Sequence, residues 1–82
     1  MRFTLQSDRE ITVVFEPTAE EYTLPANGPI AVEWVDGTGE GVVSLEAGVL
    51  IVCARSGGYT RAWIKGGSEI YVGPESGPDS VK

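Results

Sequence analysis

Apolar residues recur at every second position in short runs along this chain, and no stretch of a dozen residues carries the i, i+3, i+4 spacing of an amphipathic helix. Successive side chains of a strand point to opposite faces, so a period of two predicts half-buried strands. Phe3 and Leu5 alternate with Arg2, Thr4 and Gln6. Ile11, Val13 and Phe15 alternate with Thr12, Val14 and Glu16, and Ile30, Val32 and Trp34 with Ala31, Glu33 and Val35. The first two runs, separated by the polar break Ser7-Asp8-Arg9-Glu10, read as an N-terminal hairpin. Pro17 has no N–H for a ladder and ends the second strand, and Thr18 to Glu21 then lead into a short strand Tyr22-Thr23-Leu24. Pro25-Ala26-Asn27-Gly28-Pro29 is a turn, and Trp34 belongs to a core face. Asp36, Gly37, Thr38, Glu40 and the flanking Gly39 and Gly41 read as a flexible loop, because glycine at half of six positions leaves the backbone little restricted.

Two further hairpins carry register information, since short turns dictate which residues face each other. A two-residue loop at Ala47-Gly48 pairs Leu45 with Leu50, Val43 with Val52 and Val42 with Cys53. It places Val43, Leu45, Leu50 and Val52 on the core side. The opposite face is also apolar, with Val42, Val49, Ile51 and Cys53 interrupted by Ser44 and Glu46. The hairpin at Gly66-Gly67 admits two registers. A two-residue loop sets Trp63 opposite Ile70 and buries it. A three-residue loop sets Trp63 opposite Tyr71 and Lys65 opposite Glu69, leaving Tyr59, Arg61, Trp63, Lys65 and Tyr71 as an exposed basic and aromatic stripe.

About seven to eight short strands predict an all-β fold, a small antiparallel β-sandwich or flattened barrel of jelly-roll-like kind. Residues 1–73 are expected to form one domain. Residues 74–82, rich in Gly, Pro, Ser and charge, are expected to form a disordered tail. A chain of 82 residues buries only about 60% of its unfolded surface. With one cysteine and no histidine it has neither a disulfide nor a structural zinc site to supplement that thin core.

Composition narrows function mainly by exclusion. Without histidine the commonest general base and the Ser-His and Cys-His nucleophile pairs are missing. The Gly37 to Gly41 segment lacks the spacing and following helix of a phosphate cradle, and Asp36 and Glu40 fall short of a calcium loop. The expectation is therefore no enzyme, no cofactor and no metal. Twelve acids against six bases give a formal charge of -6, which disfavours nucleic acid and anionic membranes as partners. The first ten residues show no apolar signal region and no run is long enough to span a bilayer, so a cytoplasmic protein, or a component of a particle assembled there, is expected.

What remains is recognition. A small unstapled core gains stability by burying surface between subunits, and the apolar face of Val42, Val49, Ile51 and Cys53 predicts a non-enzymatic assembly module that pairs with itself. Two alternatives stand beside it. One is an acidic inhibitor or antitoxin-like protein docking on a basic partner. The other is a carbohydrate-binding module using the Trp63 stripe, since tryptophan and tyrosine stack on sugars and dominate interface hot spots.

Overall fold

The structure, a computed structural model, describes residues 1–75. Among them are eight strands: β1 (Arg2–Leu5), β2 (Ile11–Glu16), β3 (Glu20–Leu24), β4 (Ile30–Thr38), β5 (Val42–Glu46), β6 (Val49–Cys53), β7 (Ser56–Ile64) and β8 (Glu69–Ile70). They form two four-stranded sheets, β1-β4-β7-β8 (sheet A) and β3-β2-β6-β5 (sheet B). The all-β, sandwich-like expectation holds. One pair departs from the antiparallel pattern: β2 and β6 run parallel, with Val13 beside Leu50 and Phe15 beside Val52.

The inward faces of both sheets make one core. Sheet B supplies Val13, Phe15, Leu24 and Val52, and sheet A supplies Leu5, Ile30, Val32, Trp34 and Ala62. Each fully buried aliphatic or aromatic side chain contributes about 1.5–3 kcal/mol relative to exposure. Phe3 meets the Trp34 indole edge-on at 4.9 Å. Gly41, just before β5, lies so close to that indole that a Cβ there would sit 2.5 Å from its ring carbons. Trp34 is thus a core residue, and the absence of a side chain at position 41 is what lets β5 begin beside it.

The expected N-terminal hairpin does not form. β1 pairs with β4 in sheet A, whereas β2 pairs with β3 and β6 in sheet B. Ser7 to Glu10 bridge the two sheets, and the Ser7 carbonyl accepts a hydrogen bond from the Asn27 N–H at 2.8 Å. The apolar alternation of β1 and β2 served to face Leu5 and Val13 across the core rather than along one sheet. The segment read as a loop at Asp36 to Gly41 is shorter than expected, because β4 continues through Asp36, opposite Gly58, to Thr38, opposite Ser56. Glycine there serves close approach. A Cβ on Gly58 would stand 2.7 Å from the Asp36 and Val35 carbonyl oxygens.

The β5–β6 hairpin has the expected register, with Leu45 opposite Leu50 and Val42 opposite Cys53. Its turn residues Ala47 and Gly48 both take positive φ, 52° and 79°, the geometry of a two-residue primed turn. The β7–β8 hairpin has neither expected register. Trp63 stands opposite Glu69, and Lys65, Gly66 and Gly67 form a three-residue loop closed by the Gly67 N–H on the Ile64 carbonyl at 2.7 Å. Gly66, at φ 73°, takes the left-handed position of that loop. Of the expected tail, Pro74 and Glu75 are exposed, and residues 76–82 lie outside the described residues. No helix long and apolar enough to cross a membrane occurs among the described residues.

Candidate functional site

Two surfaces concentrate the chemistry of this molecule: the outward face of sheet A around Trp63, and the β5 edge of sheet B. On sheet A the ladders align residues from four strands. Arg2, Glu33 and Arg61 fall in one row, and Thr4, Ala31, Trp63 and Glu69 in the next. Thr60 and Ala62 point inward and are buried, so Tyr59, Arg61 and Trp63 point outward by alternation. Trp63 is half-buried on this outer face and does not join the core cluster.

Two guanidinium groups attend the Trp63 ring, Arg2 at 4.7 Å and Arg61 at 5.3 Å from its centroid. Arg61 is held by Glu69 through paired hydrogen bonds, Nε to Oε2 and Nη2 to Oε1, both 2.8 Å. The hydrogen bond to Glu69 is the main reason that Arg61 stays protonated above the usual arginine range, with the Glu69, Tyr59 and Glu33 charges adding to it against a partly opposing desolvation. The expected Lys65–Glu69 pair is replaced by this one, because the observed register sets Glu69 diagonally next to Arg61 and leaves Lys65 in the loop. Lys65 instead reaches the Thr4 hydroxyl at 3.5 Å.

Beside the ring lies an open groove of about 560 Å³, bounded by Arg2, Thr4, Ala31, Trp63, Lys65 and the glycine loop. Of the stripe expected from alternation, Trp63 and Lys65 border this groove, whereas Arg61 lies against the Trp63 ring and is not part of the lining. Tyr59 borders a separate cavity with Thr18 and Val72. Tyr71 is 47% exposed, lies beyond β8 and does not face Trp63. Alternation along β7 could not reveal Arg2, Thr4 and Ala31, which arrive from β1 and β4 through pairings distant in sequence.

Sheet B presents a different surface. Val42, Val49, Ile51 and Cys53 share its outer face with Val14, which stands beside Ile51. Val49, Ile51 and Cys53 are half-buried among lateral neighbours on the same sheet, with Thr12 next to Val49 and Glu16 next to Cys53. On the inward face, Val52 is fully buried and Leu50 packs against the core, as expected. Val43 and Leu45 do not follow them. They are 44% and 68% exposed, and Val42 on the other face is 56% exposed. β5 contributes no residue to the core cluster, and it exposes Val43 and Leu45 on one face and Val42, beside Ser44 and Glu46, on the other. The expected core side of this hairpin is therefore correct for β6 and wrong for β5, which overhangs the core.

The Cys53 thiol is half-buried and lies 3.7 Å from the Ala54 carbonyl oxygen. No group of three or more His, Cys, Asp or Glu residues placed to hold a metal ion occurs among the described residues. Comparison with protein families, with curated proteins and with solved structures found no match for this chain.

Proposed function

We propose that this protein is a self-associating interaction module, and that the contact is made by pairing the β5 edge with the same edge of a second copy. The observation that carries the reading is an edge strand with exposed apolar side chains on both faces, Val42, Val43 and Leu45. Free strand edges expose unpaired N–H and C=O groups and are usually guarded by charge, proline or brevity. β8 is only two residues long, β1 carries Arg2, and β3 carries Glu20 and Glu21. β5 has one acid, Glu46, at its end, and no lysine or proline.

The sequence of β5 is complementary to itself. The two-residue turn makes Glu46 and Val49 a hydrogen-bonded pair, and bonded pairs recur at every second residue. Ser44 and Val42 therefore turn their backbone groups toward β6, whereas Val43 and Leu45 turn theirs outward. A two-fold axis through Ser44 sets Val43 of each copy opposite Leu45 of the other, so those outward groups bond and the exposed side chains cover each other. Glu46 then faces Val42 rather than its own counterpart, which avoids like charges in direct opposition. The isologous contact extends each four-stranded sheet into a continuous one.

Light scattering after size exclusion over a concentration series tests this with three chains. The unaltered chain is expected as a dimer and Leu45→Lys as a monomer. Ile51→Lys, on the outer face of sheet B, is expected to remain a dimer. A monomeric unaltered chain overturns self-association, and a dimer broken by Ile51→Lys but not by Leu45→Lys moves the contact from the edge to the face of Val42, Val49, Ile51 and Cys53.

A further inference from the structure

We infer that the groove beside Trp63 is an oxyanion site, taking a small ligand through its carboxylate or phosphate group with Arg2 and Lys65 as the recognising cations. Arg2, Arg61 and Lys65 are three of the six lysines and arginines in a chain of net charge -6, and they meet on one patch. Arg61 on the patch is engaged with Glu69, and among the other described residues Arg9 pairs with Asp8 and Arg55 with the Asp36 carbonyl. Among the described residues, Arg2 and Lys65 have no carboxylate within ion-pair distance.

Arg2 is the more telling of the two. The ladder sets it directly opposite Glu33, yet its guanidinium lies over Trp63 instead. A cation on a ring face is held by the π quadrupole, while the N–H groups around the guanidinium rim stay available for the two oxygens of a carboxylate or phosphate. Trp63 is thus a positioning residue. Arg61, locked by Glu69, is already satisfied and flanks the ring. Lys65 brings a second positive charge to the Thr4 hydroxyl, and Gly66, with open space around it, leaves that wall of the groove low.

The volume of about 560 Å³ falls in the range of small-molecule sites. The two guanidinium groups on the Trp63 ring take the surface that a stacked sugar needs, which weighs against the carbohydrate alternative. Net charge weighs against an extended phosphate backbone, whose many charges meet repulsion beyond the patch. A ligand with a single oxyanion group avoids both objections. This site lies on sheet A and does not depend on pairing through β5.

The test is a titration of the ¹⁵N-labelled chain with sodium pyrophosphate and, separately, sodium citrate, against sodium chloride of matched ionic strength. Saturable shifts confined to Arg2, Thr4, Trp63 and Lys65 are expected with at least one of the two. The one that saturates separates phosphate from carboxylate recognition. Arg2→Gln and Lys65→Gln are each expected to weaken binding about tenfold, as befits loss of a charge-assisted hydrogen bond, and Arg9→Gln to leave it unchanged. Both substituted positions are exposed, and retention of the remaining backbone spectrum shows that the fold survives. Linear shifts shared with Arg9 and Arg55, or saturation unaffected by Arg2→Gln, would overturn the assignment.

Discussion

β3 and β5 are the two edges of the same sheet, both five residues long and both antiparallel to an inner neighbour, yet they meet the rest of the molecule differently. β3 buries Leu24 completely, half-buries Tyr22 and turns Glu21 and Thr23 to solvent. β5 has the more apolar sequence and buries no side chain fully. Hydrophobic alternation identifies which side chains share a face. Whether that face is covered depends on how far the opposite sheet extends, and β5 lies outside that cover. An uncovered edge with exposed apolar side chains offers a template for pairing with another strand, which is the basis of the proposed contact.

Perturbations ranked by size should separate the two edges. Leu24→Ala is expected to lower stability by about 2–5 kcal/mol in chemical denaturation, the range for a large aliphatic side chain removed from a core. Leu45→Ala is expected to change monomer stability by no more than about 0.5 kcal/mol. Equal losses at the two positions would mean that β5 is covered after all. Gly41→Ala is expected next, at about 1–3 kcal/mol, because the new methyl overlaps the rigid Trp34 indole where the chain turns into β5. Thermal melts of this variant check whether β5 is anchored by that contact.

Assembly provides the finer comparison. Leu45→Pro removes an outward N–H without touching the bonds between β5 and β6, and is expected to yield a folded monomer in analytical ultracentrifugation. Raising salt from low to physiological levels is expected to strengthen pairing modestly, since two chains of charge -6 repel, whereas the same change weakens oxyanion binding at Arg2 and Lys65. Giving β3 the character of β5, with Glu21→Val and Thr23→Val together, is expected to add a second adhesive edge and produce species larger than the dimer. If the double variant keeps the mass of the unaltered chain, the acids of β3 are not what guards that edge.

Period-two alternation by itself determined that this chain makes strands and not helices, because side-chain direction in an extended backbone is a local property. The same holds for the β5–β6 register, which Ala47 and Gly48 impose through a turn of two residues, and for Trp34 in the core. Only the tertiary structure decided what depends on contacts between distant segments. It assigned β1 to β4 rather than β2, paired β2 parallel with β6, carried Arg2 to Trp63, and left Val43 and Leu45 uncovered. The β7–β8 register also escaped a local reading, since Gly66-Gly67 permits several loops and the Arg61–Glu69 ion pair accompanies the one adopted. Pairing between strands far apart in sequence is selected by the summed burial of both sheets, and no run of residues carries that sum.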